Sequence, residues 1–102
     1  MSTLYVTEFT QVGSSGHSSN HYLAAPSADS INAYQAIAIG TASAPSAATN
    51  AKTKFVKLIS DTNCWLAYGA AGIVATHSND YLPAGVVYYV GISPGTVIAA
   101  IT

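Results

Sequence analysis

Few residues of this chain could carry chemistry, and the most suggestive pair is His17 and His21. On a helix, a spacing of four would place both imidazoles on one face, where they could bind a metal ion. The pair lies instead in a Gly/Ser-rich stretch, no third ligand is near, and His77 is far along the chain. We therefore predict two solvated loop histidines and no metal site.

Hydrolytic and phosphate-binding motifs are also missing from the sequence. A Ser-His-Asp triad can be combined on paper, but no G-x-S-x-G motif supports it. Asp61 best suits the start of the turn before Asn63. The Gly-Ala-Ala-Gly run at 69–72 is followed by neither a lysine nor a helical pattern, so it indicates a turn between strands. The four carboxylates are scattered, at Glu8, Asp29, Asp61 and Asp80. The sequence thus predicts no catalytic residues, no cofactor and no enzyme.

Tyrosine is the one residue type whose abundance points to binding. The chain has seven tyrosines against two phenylalanines, and tyrosine brings both apolar area and a hydroxyl to interfaces. The adjacent rings of Tyr88 and Tyr89 must point to opposite faces of a strand, so at most one belongs to the core of a one-sided sheet. The other is either at an interface or half-buried at a sheet edge. Candidate interface residues are Tyr5, Tyr22, Tyr81 and Tyr88.

The elements that position these residues read as strands. Thr3 to Phe9 is rich in β-branched and aromatic residues. In the run from Ile31 to Ile39, Ala36 and Ala38 face one way while the isoleucines at 37 and 39 face the other. Residues 11–30 are small and polar with glycines and a proline, which predicts a long loop. Thr41 to Ala51 is expected to be extended.

Two hairpins are predicted from turn residues between apolar runs. Lys54 to Ser60 and Cys64 to Tyr68 flank a three-residue turn and should form the centre of the fold. Val86 to Gly91 and Thr96 to Thr102 flank Ser93-Pro94-Gly95 and should form a second hairpin.

The remaining segments complete a β-rich pattern. Ile73 to Thr76 is expected to be a strand, and Tyr81 to Gly85 an edge piece closed by a turn. Trp65 is expected in the core, alternating with Cys64 and Leu66. The chain is therefore predicted to be a single all-β domain, 1–102, a small sandwich or barrel of about six to eight short antiparallel strands.

Charge is the most unusual feature of the composition. Only 7% of residues are charged and 50% are hydrophobic, whereas soluble domains usually carry about 25% charged residues. The three lysines, Lys52, Lys54 and Lys57, make no basic face for nucleic acid. No apolar run is long enough for a membrane span, and no signal-peptide pattern opens the chain. Burial against partners would explain the deficit in charge, so we expect a homo-oligomer.

The segment SAATNAKTKFVKL, from Ser46 to Leu58, carries a resemblance to a known group of proteins. With Asp61, Cys64 and Tyr68-Gly69 after it, and with LYVTEF at 4–9 and YVGI at 89–92, it resembles small proteins encoded in the structural gene clusters of tailed bacteriophages. The resemblance implies a head decoration (cement) protein of the virion.

Several expectations follow from that resemblance. The protein would be made in the host cytoplasm, would sit on the phage head surface as a homotrimer, and would bind the major capsid protein. The alternative is a carbohydrate-binding or host-adhesion module of a phage tail, with Tyr22, Tyr81 or Tyr88 as stacking platforms.

Overall fold

The computed structural model describes residues 2–10 and 31–102, and the backbone of residues 12–13 and 25–26. The predicted loop at 11–30 lies outside the described residues except for two short strands that pair with each other. The strands in chain order are β1 (Ser2–Phe9), β2 (Val12–Gly13), β3 (Ala25–Pro26), β4 (Ile31–Ile39), β5 (Ala44–Pro45), β6 (Phe55–Ser60), β7 (Cys64–Gly69), β8 (Asp80–Leu82), β9 (Tyr88–Gly91) and β10 (Val97–Ile101). Within the described part of the chain, no helix is long and apolar enough to cross a bilayer.

Eight of these strands form two antiparallel sheets that enclose a common core. The first sheet has the order β4-β1-β6-β9, and the second has the order β5-β10-β7-β8. Each sheet turns alternate side chains inward, and the first contributes Leu4, Val56 and Leu58 while the second contributes Leu66 and Ile98. The prediction of an all-β sandwich or barrel is confirmed, and the architecture is the sandwich.

The alternation predicted for the second long run is confirmed in β4. Ile37 and Ile39 are buried against the core, and Ala36 and Ala38 are exposed on the outer face. Two further predictions also hold, since the 41–51 segment is extended with β5 inside it, and the Tyr81 to Gly85 piece is an edge strand followed by a turn. Gly85 adopts a φ of 76°, which a side chain would strain.

The predicted central hairpin is wrong, because β6 and β7 belong to opposite sheets. Two of the three turn residues, Asp61 and Asn63, bond through their side chains to distant parts of the chain. Asp61 Oδ1 accepts the Thr3 N–H at 2.8 Å, and Asn63 Oδ1 accepts the Ala84 N–H at 2.9 Å. These bonds fix a corner that carries the chain across the core. In a sandwich, both strands present the same apolar alternation to the core, so the pattern suits a corner as well as a hairpin.

The predicted C-terminal hairpin is also wrong. The tight turn forms, with Gly95 at a φ of 81° and the Thr96 N–H donating to Ser93 O at 3.2 Å. However, β9 pairs with β6 at one edge of the first sheet, and β10 lies between β5 and β7 in the second. The physical reason is burial, since four consecutive β10 residues, 97–100, are at most 5% exposed whereas β9 is largely exposed. A strand buried on both faces takes a central position.

The expected strand at Ile73 to Thr76 is a loop that covers the outer face of the second sheet. Ala75 packs there against Ala67 and Ala99, whose small side chains leave room for the loop. The Ala75 N–H donates to Ser43 Oγ at 2.9 Å. The segment therefore does not add a strand to the sheet, and it covers part of the outer face of the second sheet.

Trp65 was expected in the core and is instead half-buried on the outer face of the second sheet. Its neighbours Cys64 and Leu66 take inward positions of β7, as does Tyr68, which leaves the tryptophan pointing outward. Its ring packs against Tyr81, 5.0 Å between centroids, and against the edge of His77 at 4.6 Å.

A buried carboxylate anchors the segment that crosses from β5 to β6. Glu8 is 2% exposed, and its Oε1 accepts the Asn50 N–H and the Thr53 hydroxyl, each at 2.8 Å. Its Oε2 accepts Gln35 Nε2 at 3.2 Å, and the Gln35 side chain also bonds both backbone groups of Ala47. Charge-assisted hydrogen bonds of this kind offset the cost of burying the carboxylate.

Candidate functional site

The outer face of the first sheet is built by the positions that alternate with the core residues. In β1, Leu4 and Val6 point inward, so Tyr5 and Thr7 point outward. The strand register then aligns one outer-face row across all four strands. The row consists of Tyr34, Thr7, Lys57 and Tyr89. We define the aromatic face as this row together with Tyr5, Phe55 and Ile59.

Three tyrosines of the aromatic face are unusually open. Tyr34 is 71% exposed, Tyr89 is 50% exposed and Tyr5 is 49% exposed. Each of these rings stands on a hydrogen-bonded strand of the sheet. The sheet therefore fixes the backbone that carries the rings, which lowers the backbone entropy lost when a partner covers them.

One end of the aromatic face is a packed aromatic group. The Phe9 and Phe55 rings stack with centroids 4.8 Å apart and planes inclined by 8°. Tyr89 lies 6.5 Å from Phe55 in a tilted arrangement. Such contacts restrict ring rotation, so this end of the face has a defined shape.

Beside Tyr5 the surface dips into a shallow, largely apolar depression of about 350 Å³. It is lined by Tyr5, Ile59, Ser60, Asp61 and Gly85. An open depression next to exposed aromatic rings suits the insertion of a side chain from a partner protein.

The chemistry of the aromatic face is that of contact. Lys57 is the one charged side chain among its seven residues, and the others supply aromatic carbons, methyl groups and hydroxyls. Interface cores in proteins have this composition, enriched in tyrosine and depleted in charge. The face has no carboxylate or imidazole to transfer a proton.

The three predicted interface tyrosines that the structure describes do not come together. Tyr5 is on the aromatic face. Tyr81, 46% exposed, is on the outer face of the second sheet beside Trp65. Tyr88, 39% exposed, is on the inner side of β9 at the flank of the sandwich, and Tyr22 lies outside the described residues.

Sequence reasoning missed Tyr34 and Tyr89 as members of the site. The signal for Tyr34 was present, because two inward isoleucines in β4 place the tyrosine on the outer side. For Tyr89 no such signal existed. Its face depends on the pairing of Lys57 with Tyr89 and of Leu58 with Tyr88, which the sequence pattern does not reveal.

A polar cluster of Tyr68, Asp80 and Tyr88 lies at the flank of the sandwich, where β8 and β9 are the edge strands. The Tyr68 hydroxyl donates to Asp80 Oδ2 at 3.3 Å. Burial, reinforced by the nearby Asp80 charge, raises the pKa of the Tyr68 phenol. The hydrogen bond with Asp80, and then its charge, raise the pKa of Tyr88 as well. The contact of Tyr88 with Asp80 joins the two sheets, and phenols with raised pKa values are poor nucleophiles at neutral pH.

Reactive and metal-binding groups are equally scarce in the described part of the chain. Burial raises the pKa of the Cys64 thiol, so little of the nucleophilic thiolate forms at neutral pH. Residues 2–10 and 31–102 contain no group of three or more His, Cys, Asp or Glu placed to hold a metal ion. His17 and His21 lie outside the described residues, and the prediction made for them stays a prediction.

Comparison with known proteins gives no relative for this chain. No protein-family model matches the sequence, and neither the curated proteins nor the solved structures yield a match. The function is therefore argued from the geometry of the aromatic face and from the composition of the chain.

Proposed function

We propose that this chain is a structural protein of the virion, a capsid decoration (cement) protein that stabilises a phage head by docking on the major capsid protein. The observation that carries the docking function is the aromatic face, with three tyrosines about half or more exposed around a single lysine. The phage head as its location comes from the resemblance carried by residues 46–58. The role requires no catalysis and no cofactor.

The physical case for docking starts from the surface that the fold leaves open. A sheet face that carries exposed Tyr5, Tyr34 and Tyr89 exposes apolar area that a partner can remove from water. Buried tyrosines are among the side chains that contribute most to binding energy at protein interfaces. Their hydroxyls can still bond to the partner, so burial leaves no polar group unsatisfied.

The low charge of the chain agrees with this role. A cement protein acts by spanning neighbouring shell subunits and burying area on them. Charges at the centre of such a contact would have to be desolvated at a cost of several kcal/mol each. The aromatic face offers only Lys57, whose position between Thr7 and Tyr89 in the cross-strand row suits one acidic group on the partner.

The docking test uses purified phage head shells that lack the protein. The double variant Tyr5→Ser with Tyr89→Ser is added to the shells, and bound protein is measured by co-sedimentation. We expect affinity to fall about 100-fold or more, because two exposed aromatic anchors of the face are lost. The matched control is Tyr81→Ser, a tyrosine of similar exposure, 46%, on the other sheet. Equal binding by the double variant and the wild type would overturn the proposal.

A second function is favoured by one specific observation, the aromatic cluster of Trp65, Tyr81 and His77 on the second sheet. Aromatic rings on a sheet face can stack against sugar rings, as a carbohydrate-binding or host-adhesion module of a phage tail requires. This function predicts that a host glycan changes Trp65 fluorescence. Tyr81→Ser would abolish that response, and the double variant on the aromatic face would keep it. Location of the chain at the tail in a virion reconstruction would favour this second function.

A further inference from the structure

The four edge strands of the sandwich are protected to very different degrees. β5 has two residues and ends in Pro45, and β8 has three residues and is followed by Pro83. β9 has four residues. Short length and proline are the usual means by which proteins keep sheet edges from pairing with other chains.

The fourth edge, β4, has none of these protections. It runs for nine residues with the sequence INAYQAIAI, without proline and without a charged side chain. β1 pairs with one side of it, and in the described part of the chain no strand pairs with the other side. At about 3.3 Å per residue, this open edge is about 30 Å long.

We propose that two copies of the chain pair antiparallel through their β4 edges and form one continuous eight-stranded sheet. An antiparallel pair of identical strands has two-fold symmetry, so each copy satisfies the backbone groups of the other. The interface is therefore built mainly from backbone hydrogen bonds along the edge. The first sheets of the two copies become a single sheet.

The sequence of β4 is complementary to itself in this arrangement. With the symmetry axis at Gln35, the outer face places Tyr34 opposite the partner subunit's Ala36. The inner face places Ala33 opposite the partner subunit's Ile37. The pairs nearest the axis thus match a large residue with a small one on each face, and no charge meets a like charge.

If the copies associate only by pairing β4 with β4, the assembly is a dimer and not a trimer. A ring of three copies needs β4 to pair with a different edge of its neighbour. The other edges offer only two to four residues, and two of them contain or are followed by proline. The trimer implied by the resemblance would therefore need contacts other than strand pairing.

The pairing also changes what the aromatic face can do. Tyr34, the most exposed of its tyrosines at 71%, lies on β4 and thus at the middle of the joined sheet. Two aromatic faces then lie side by side in one surface. A dimer with two docking faces gains avidity on a repetitive partner without any new contact.

The test measures the mass of the purified chain by analytical ultracentrifugation at concentrations from about 1 µM to 1 mM, which covers weak and moderate affinities. We expect the wild type to approach twice the 10.4 kDa of one chain. Ala36→Lys places a charge on the exposed face of the edge in each copy, and it should weaken the dimer about tenfold or more. Ala71→Lys adds the same charge at an exposed turn and is the matched control.

Three outcomes would overturn the inference: a wild type that stays monomeric at 1 mM, a trimeric mass, or equal weakening by the two lysine variants. Circular dichroism checks that both variants fold. Amide hydrogen exchange gives a second readout, since the β4 amides should become more protected as concentration rises. The shell-binding test changes other residues, Tyr5 and Tyr89, so the two proposals can fail separately.

Discussion

The outer faces of the two sheets differ in what covers them. On the second sheet, the loop that follows β7 lies over the face, and Ala75 of this loop packs on Ala67 and Ala99 of the sheet. On the first sheet, Tyr5, Tyr34 and Tyr89 stand open on the aromatic face. The chain thus uses small residues where it covers a sheet by itself and large aromatic residues where it leaves a sheet open. That contrast is the reason we propose the first sheet as the side that binds a partner.

The shared core beneath both faces gives the largest expected effect. Leu58 is fully buried, and Leu58→Ala should lower the free energy of unfolding by about 2 to 5 kcal/mol through lost transfer energy and a residual cavity. Urea denaturation followed by Trp65 fluorescence measures the change. Ile59→Ala, the next residue on the aromatic face, is the matched control and should cost about 1 kcal/mol. Similar losses at both positions would mean that the inner and outer assignments are wrong.

A second test compares the covered and open faces by replacing an alanine with the larger valine on each. Ala99 is fully buried under the loop, so Ala99→Val should overpack the site and lower the unfolding free energy by about 1 to 3 kcal/mol.

Ala38→Val makes the same change on the exposed side of β4 and should alter stability by no more than about 0.5 kcal/mol. The comparison is made at a protein concentration low enough to keep the chain monomeric. If Ala99→Val left stability unchanged, the loop would not be packed on the second sheet.

The smallest effect is expected at the flank that joins the sheets. Burial raises the pKa of Tyr68 in the folded state, while the unfolded phenol keeps its ordinary value near 10. Above about pH 10 the unfolded state loses a proton that the folded state retains, so stability falls as pH rises toward the folded-state pKa.

Unfolding free energies measured from pH 8 to pH 11 should therefore show a steeper decline in the wild type than in Tyr68→Phe. Tyr88, whose pKa is also raised, contributes in the same direction, so the decline is reduced and not abolished. Tyr89→Phe changes the same side chain away from the flank and is the matched control. Identical slopes for wild type and Tyr68→Phe would contradict the prediction.

Sequence alone could predict the class of fold and the faces of individual strands. In β4 and β6 the period of two assigns each residue to the core or the outside, as Ile37 and Leu58 show. It could not predict which strands are neighbours. The apolar alternation of β6 and β7 is the same whether the strands pair or face each other across a core, and only the outward bonds of Asp61 and Asn63 decide between the two.

The same limit applies to the candidate site. Tyr5 could be placed on an outer face from the alternation of its own strand. That Tyr5, Tyr34 and Tyr89 lie on the same face depends on strand order, which the sequence does not reveal. Trp65 was expected in the core, alternating with Cys64 and Leu66. Its neighbours Cys64 and Leu66 take inward positions of β7, so local alternation overrode the tendency of large residues to be buried.

The Glu8 network has a consequence for how the chain reaches this topology. Its two bonds to Asn50 and Thr53 connect positions 42 and 45 residues away in the chain. They can form only once β1 and the crossing segment have taken up their native positions. An arrangement that buried β1 in another register would leave the carboxylate without donors, at a cost of several kcal/mol. Glu8 thereby discriminates against mispaired sheets during folding, a selectivity that the aliphatic core residues cannot supply because they tolerate many partners.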